Sequence, residues 1–181
     1  KRKFIKEIFE KDPNGINYVG LNTKLIDNLI VNLFDYLIET NINKKYDELT
    51  ILALGGYGRG ELAPQSDIDL LFLVQDKSLG KSKISNTEKL IQKILYFLWD
   101  LGFSVGHSTR TVGEILDYAK VDTTFLTSLI DNRFLIGNKK EFESFSKNFQ
   151  NFVKKSNTFD FIKNKLAEAE ERHKKFGSSR F

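Results

Sequence analysis

The sequence contains no cysteine and no methionine, and it has only two prolines and two histidines among its 181 residues. Without cysteine the chain forms no disulfide, cysteine zinc site or thiol nucleophile, which agrees with a cytoplasmic protein. No apolar run approaches the roughly 20 residues of a membrane-spanning helix, and no apolar stretch follows the basic start as in a secretion signal. Because the chain starts at Lys1 without methionine, we expect it to be a piece of a longer protein.

The charge balance is only mildly basic, with 28 Lys and Arg against 24 Asp and Glu and a formal net charge of +4. So small an excess is typical of a lysine-rich surface, although it also suits a polyanionic ligand. No dense basic stripe interleaved with aromatic residues is present, so nucleic acid is disfavoured as a partner. The composition is that of a globular protein.

Hydrophobic periodicity divides the chain into three parts. Residues 1–44 are predicted to form an N-terminal helical segment, with apolar residues at helical spacing over 21–40 and Asn22 or Thr23 as the helix cap. Residues 45–137 are predicted to form an α/β core. Residues 138–181 are predicted to form a helical extension, with a phenylalanine stripe that belongs to the helix core.

The predicted α/β core combines short apolar runs with capped amphipathic helices. Three strands are expected from the apolar runs, at residues 49–54, 68–74 and 104–109. Helices are expected to begin near Ser85, Thr111 and Asp122, the last continuing to Gly137. A further helix is expected from Phe159. The fold class is therefore α/β, with a small mixed sheet and flanking helices.

A glycine-rich turn and an acidic pair flank the connection between the first two predicted strands. Gly55 and Gly56 have no Cβ, so the backbone can approach a triphosphate and offer its N–H groups. Asp67 and Asp69 are two residues apart on a predicted strand and therefore point to the same face. Paired carboxylates suit Mg²⁺, and two such ions can clamp an in-line displacement at phosphorus.

Each of these features taken alone is more often a tight turn or a solvated strand edge than a functional site. A dinucleotide fingerprint is excluded, because Gly56, Gly58 and Gly60 fall at alternate positions and Pro64 follows. The conjunction is more informative, since aligned acids beside apolar strand residues are costly to bury unless a metal or partner compensates. We therefore interpret the region as a phosphoryl-chemistry site.

The stretch from Gly55 to Phe72 resembles the DNA-polymerase-β-like nucleotidyltransferase superfamily, whose signature is Gly-Gly followed by Asp-Ile-Asp. It is more narrowly similar to the N-terminal domain of bifunctional uridylyltransferase/uridylyl-removing enzymes. The similarity continues in residues 99–111, 127–137 and 172–177.

This resemblance implies a polymerase-β-like fold and transfer of UMP from UTP to a tyrosine of the nitrogen-regulatory protein PII, with release of pyrophosphate. It implies Asp67 and Asp69 as ligands of two Mg²⁺ ions, and Gly55 and Gly56 as phosphate-binding residues. The family's hydrolase and glutamine-sensing domains do not fit within 181 residues. Other donors or acceptors, such as adenylyl transfer, and an inactive fragment that binds NTP or docks a partner remain alternatives.

One departure from the superfamily concerns a third metal-binding carboxylate on a later strand. The predicted strand at 104–109 offers His107 and no acid. Asp122 is the nearest alternative, although capping of a helix explains it equally well. The third ligand stays open at this point.

Several neighbouring residues have two interpretations each. Ser66 binds a phosphate or is a turn residue after Pro64. Arg59 meets the triphosphate or a nearby acid, and Glu61 orients this loop or is solvated.

For the aromatic and basic residues nearby, packing is favoured over ligand contact. Tyr57 is expected to pack in the turn rather than stack on a base, and His107 to be partly buried rather than a general base. Arg110 is expected to pair with Asp100 rather than bind nucleotide.

Overall fold

The computed structural model describes residues 2–11, 13–40, 49–75 and 86–155, together with isolated positions between 162 and 174. The elements follow one another along the chain as α1 (Arg2–Lys11), α2 (Gly15–Glu39), β1 (Leu49–Ala53), α3 (Gly55–Gly58), β2 (Ile68–Val74), α4 (Asn86–Asp100), β3 (Val105–Arg110), α5 (Val112–Val121), α6 (Thr123–Ile130), β4 (Arg133–Gly137) and α7 (Lys139–Lys155). None of the described helices is long and apolar enough to cross a membrane.

The four described strands form one mixed sheet in the order β3-β2-β1-β4. β2 pairs in parallel with β3, and β1 pairs antiparallel with both β2 and β4. As a result the end of β1 and the starts of β2, β3 and β4 meet at one end of the sheet. The predicted α/β fold with a small mixed sheet is confirmed.

Helices cover both faces of the sheet. α2 and α4 pack on one face, where Ile30, Ile51 and Phe72 are fully buried. α5, α6 and α7 pack on the other face against Leu71, and α7 contributes Phe145. Burial on both sides explains why β1 and β2 are continuous apolar runs rather than alternating ones.

The predicted cap of α2 is wrong. The helix begins at Gly15, and the side chain of Asn14 caps it by accepting hydrogen bonds from the backbone N–H groups of Ile16 and Asn17. Asn22 and Thr23 lie inside the helix and are buried. Their polar side chains suit helix interior positions here because they bond to the loop that α2 covers, as described below.

The predicted helix from Asp122 to Gly137 is also wrong in its second half. α6 ends at Ile130, and β4 follows at Arg133–Gly137. β4 pairs with β1, with a register irregularity at Ile51/Leu52. The apolar run of β4 is short enough for either structure, and the open edge of β1 decides the outcome.

Capping at the other predicted helix starts is confirmed where the structure describes it. Thr111 and Glu114 form a capping box at α5, and the Asp122 side chain accepts from the Phe125 backbone N–H at 2.8 Å. The expected cap at Ser85 and the expected helix start at Phe159 lie outside the described residues.

Candidate active site

The glycine-rich turn directly follows β1 and forms the single-turn helix α3. Gly55 has φ of +53°, a left-handed conformation that favours glycine. The first N–H groups of any helix have no partner within it, so the amides of Gly55 and Gly56 are available to a ligand. The turn that the sequence predicted is therefore a short helix start with free donors.

The acidic pair lies next to this turn. A Cβ built on Gly55 would be 3.7 Å from Oδ2 of Asp69, so the carboxylate lies close to the turn. Asp67, Asp69, Ser66 and Gly56 line one cleft of about 370 Å³. The structure thus brings most of the predicted site residues to one cleft at the end of the sheet.

Asp69 is half-buried at the start of β2, whereas Asp67, just before the strand, is exposed. Burial, followed by the negative charge of Asp67, raises the pKa of the Asp69 carboxyl above its ordinary value. Both effects disfavour the ionised carboxylate and would be offset by a cation between the two acids.

The chemistry of this donor set fits Mg²⁺, which proteins commonly hold with one or two carboxylates plus substrate phosphates and water. No group of three or more His, Cys, Asp or Glu able to hold a metal occurs among the described residues. Asp67 and Asp69 as metal ligands stay a prediction, in which a nucleotide's phosphates would complete the coordination.

Arg59 is engaged with acids rather than pointing freely into the cleft. Its Nε donates to Glu61 at 2.9 Å and its Nη1 donates to Asp131 at 2.5 Å. These contacts match the second of the two sequence interpretations, a nearby acid. Phosphate binding by Arg59 stays a prediction. It would require the guanidinium to leave Glu61 and Asp131 and to bind phosphate instead.

The loop after α3 is held by α2. The Asn22 side chain donates to the Leu62 carbonyl at 2.9 Å, and the Leu62 N–H donates to the Thr23 hydroxyl at 3.0 Å. Both the N–H and the carbonyl of Leu62 are therefore bonded to α2, which holds the loop in place. Ser66 lies further along, exposed, with its N–H donating to the Ala63 carbonyl at 3.1 Å, as a turn residue does.

A second connection runs from α2 to α3 through the first residue of β4. Arg133 pairs with Asp27 by two hydrogen bonds, of 2.8 and 3.1 Å. The same guanidinium donates to the carbonyls of Gly58 and Tyr57, each at 3.1 Å. The carbonyl end of α3 is therefore tied to an ion pair that the sequence alone did not indicate.

Tyr57 is buried in the turn, which confirms packing rather than base stacking. Its hydroxyl lies near Asp27 but has no hydrogen bond of acceptable geometry. Burial and then the charge of Asp27 raise the pKa of this phenol, which keeps it neutral.

His107 and Arg110 have other surroundings than expected, whereas Asp122 has the capping role that the sequence left open. His107 is exposed and its ring packs edge-on to Trp99, with ring centres 5.8 Å apart. Asp122 caps α6, and the hydrogen bond from the Phe125 N–H is the main cause of its lowered pKa. Arg110 makes no ion pair with Asp100 within the part of the chain that the structure describes; its guanidinium stacks on Tyr118 instead.

Comparison with known proteins agrees with this geometry. Residues 37–126 match the family model described as a nucleotidyltransferase domain. A bifunctional uridylyltransferase/uridylyl-removing enzyme of Rhodospirillum rubrum is 36% identical over 185 residues, which cover 100% of this chain and 19% of that protein. Proteins of the same name from Novosphingobium aromaticivorans and Rhodopseudomonas palustris are 38% and 40% identical, over 87% and 81% of this chain.

The chain spans only 19%, 17% and 15% of the length of these three curated relatives. A solved toxin–antitoxin complex with AMP-PNP is more distant, with 19% identity and a TM-score of 0.38, over 81% of this chain and 96% of that one. The glycine turn, the acidic pair and the family match lead to one assignment. The chain belongs to the nucleotidyltransferase family, and the curated relatives to which it is similar are of the uridylyltransferase type.

Proposed function

We propose that this chain transfers UMP from UTP to a tyrosine of the nitrogen-regulatory protein PII and releases pyrophosphate, in the presence of Mg²⁺. The observation that carries the proposal is that Gly56 of the glycine turn, Asp67 and Asp69 line one cleft. The names of the curated relatives support UMP as the transferred group. A role in nitrogen regulation and a cytoplasmic location are parts of this proposal.

In the proposed reaction, the tyrosine oxygen bonds to the α-phosphorus as the bond from that phosphorus to the bridging oxygen of pyrophosphate breaks. Pyrophosphate leaves with the electron pair, and the hydroxyl proton passes to water. The amides of Gly55 and Gly56 would bind the β- and γ-phosphates. Ser66 lines the same cleft, and Arg59 would add a contact only after leaving Glu61 and Asp131. Asp67 and Asp69 would hold Mg²⁺, which neutralises charge on the triphosphate and polarises the reacting oxygens when bound.

The test is transfer of label from α-labelled UTP or ATP, with Mg²⁺, to purified PII protein from the same source. Changing a residue that only supports a metal ligand lowers activity by up to about 100-fold. Asp67→Asn and Asp69→Asn change the proposed ligands themselves, so each is expected to lower transfer at least about 100-fold. Asp117→Asn is the matched control, because Asp117 is exposed on α5 and pairs only with Lys120 among the described residues.

The outcomes separate the alternatives. Label from UTP on a PII tyrosine, lost in the Asp67 and Asp69 variants, supports the whole proposal. Label from ATP alone would replace uridylyl by adenylyl transfer. Binding of NTP without transfer to PII would mean another acceptor or an inactive fragment, and full activity of Asp69→Asn with unchanged Mg²⁺ dependence would overturn the site.

A further inference from the structure

A second cleft, of about 430 Å³, begins at Asp69 and lies along β3, and we call it the β3 groove. Side chains of a parallel pair that lie opposite each other share a face, so Gly106, Ser108 and Arg110 are on the same face as Asp69. Tyr118 of α5 and Phe125 of α6 form its other wall. The groove shares only Asp69 with the lining of the cleft that contains the glycine turn.

Arg110 is the cationic group of this groove. Its guanidinium carbon lies 4.2 Å from the centre of the Tyr118 ring and 5.6 Å from that of Phe125. Its buried Nε has no hydrogen-bond partner, and no ion pair is found for it among the described residues. Arginine stacked on an aromatic ring keeps its donors in the guanidinium plane, where a planar anion can accept them.

The two other arginines near the site differ from Arg110. Arg59 is paired with Glu61 and Asp131, and Arg133 with Asp27. A buried donor without an acceptor is unfavourable, and such groups in folded proteins ask for a specific explanation. Because Nε itself is enclosed, an anionic ligand in the β3 groove would accept hydrogen bonds from the terminal nitrogens of the guanidinium.

The direction of the reaction indicates which ligand this is. In a displacement at phosphorus, the attacking and leaving oxygens lie roughly in line on opposite sides of the phosphorus. With pyrophosphate at the Gly55 turn and the α-phosphorus at Asp69, the acceptor must arrive from the side of Asp69 away from the turn. The β3 groove opens from Asp69 on the side of β3, α5 and α6.

We propose that the β3 groove binds the acceptor segment of the protein substrate, and that Arg110 binds a carboxylate close to the modified tyrosine on that segment. This inference rests on the proposed function. Arg110 is then a specificity-determining residue for the acceptor and not a ligand of the nucleotide. Tyr118 positions its guanidinium, and Ser108 lies between it and the reacting end of the groove.

The experiment measures initial rates of UMP transfer with the full-length protein, varying PII at saturating UTP and then UTP at saturating PII. Arg110→Gln is expected to raise the KM for PII about 10-fold or more, as loss of a charged hydrogen bond does, and to leave the KM for UTP within about 2-fold. Arg110→Lys is expected to have a KM for PII between those of the wild type and Arg110→Gln, because lysine keeps the charge but lacks the planar guanidinium. Lys120→Gln, on the same side of the sheet but exposed and outside the groove lining, is the control.

A second measurement does not depend on how well the Arg110 variants fold. In wild-type enzyme, changing the acidic residues beside the acceptor tyrosine to amides is expected to raise the KM for PII. In Arg110→Gln the same change is expected to add little, because the two groups act through one contact. A full additional effect in Arg110→Gln would overturn the inference.

Other outcomes separate this inference from the proposed function. A rise in the KM for UTP would mean that the groove holds the nucleotide, and unchanged constants would mean that it holds neither ligand; each overturns the inference alone. A wild-type enzyme that transfers no UMP to PII would overturn the proposed function and the inference together.

Discussion

At the scale of single residues, Gly106 has no room for a side chain beside the carboxylate of Asp69. A Cβ on Gly106 would clash with Oδ1 of Asp69 unless the carboxylate moves. Because the obstacle is the end of a side chain, the fold can absorb the change while the carboxylate leaves its position. We expect Gly106→Ala to lower transfer at least about 10-fold and to raise the Mg²⁺ concentration needed for half-maximal activity.

Gly113 provides the matched control for this glycine. It lies in α5, and a Cβ there meets no atom within 4 Å. Gly113→Ala should keep full activity and stabilise the helix by up to about 1 kcal/mol. Equal activity of Gly106→Ala and Gly113→Ala would mean that the observed position of Asp69 is not the active one.

Asp122 is the residue where sequence left two roles open, and its helix-capping role gives a sharp prediction. Asp122→Ala should destabilise the protein by about 1 kcal/mol, whereas Asp122→Asn should cost little, because asparagine caps helices about as well. Both variants should keep the Mg²⁺ dependence of the wild type. A higher Mg²⁺ concentration for half-maximal transfer in Asp122→Asn, with stability unchanged, would instead favour Asp122 as the third metal ligand; a change only in the KM for PII would reflect its place in the lining of the β3 groove.

The pH dependence of this cap has a definite sign. The hydrogen bond from Phe125 lowers the pKa of Asp122 in the folded protein below its ordinary value of 3.8. Its contribution to stability is therefore present above pH 3.8 and is lost as the pH falls through the lower folded value. Urea unfolding at pH 7 and pH 3 should show the difference between wild type and Asp122→Ala shrinking at the lower pH.

Residues that act through neighbours in the chain could be predicted from the sequence. Asp67 just before β2 and Asp69 within it line one cleft, and the adjacent glycines lie within one short connection. The long-range partners of Arg59 and Arg133 could not be predicted, because Asp131 and Asp27 are 72 and 106 residues distant along the chain. Only the folded arrangement selects those pairs.

At the scale of elements, α2 is part of the site although it carries no predicted site residue. Its Asp27 neutralises Arg133, which in turn binds the carbonyls of α3. Asp27→Ala would leave a partly buried guanidinium without its acid, so we expect a loss of about 1–3 kcal/mol in the free energy of unfolding. Transfer should fall as well, because the turn that we propose to bind phosphate loses its support.

Asp35→Ala is the control for this ion pair, since Asp35 lies on the same helix and is exposed. Surface substitutions of this kind usually change stability by less than about 0.5 kcal/mol. Denaturant unfolding of both variants decides the matter. If Asp27→Ala is as stable and as active as Asp35→Ala, the ion pair does not support the turn.

Elements whose type is set by periodicity were predicted well, and those set by pairing were not. β1, β2 and β3 have clear apolar runs or boundaries, and the structure confirms them. β4 was predicted as helix because the run from Arg133 to Gly137 continues an apolar stretch without a strong break. Its strand identity depends on the edge of β1, which a single segment of sequence does not reveal.

At the scale of the whole molecule, both helical flanks contribute to the layers around the sheet. α2 places Ile30 in the core on one face, and α7 places Phe145 and Phe149 in the core on the other. Any shorter version of this chain should therefore keep α2 and α7. Removing either would expose one face of a sheet whose central strands are apolar on both sides. The domain boundaries at residues 44/45 and 137/138 stay predictions.

Ligand binding to the whole chain should also appear as a change in its thermal stability. A ligand at 100 times its Kd stabilises the folded state by about 2.7 kcal/mol, which corresponds to roughly 5–10 °C for a domain of this size. We expect such a rise with Mg²⁺ and UTP and a smaller one with UTP alone, because the repulsion between the triphosphate and Asp67 and Asp69 is then not neutralised. ATP at the same concentration should give a smaller shift if the pocket selects uracil.

The variant that checks this shift is Asp69→Asn, with Asp117→Asn as its exposed counterpart. Asp69→Asn should lose most of the Mg²⁺-dependent part of the shift, since one of the two carboxylates that we propose as ligands of the ion is gone. Asp117→Asn should match the wild type. This measurement needs no acceptor. A normal Mg²⁺-dependent shift without transfer to PII would therefore support the nucleotide site and contradict PII as the acceptor of this chain. If Asp69→Asn shows the same shift as the wild type at every Mg²⁺ concentration, the carboxylate pair does not bind the metal as proposed.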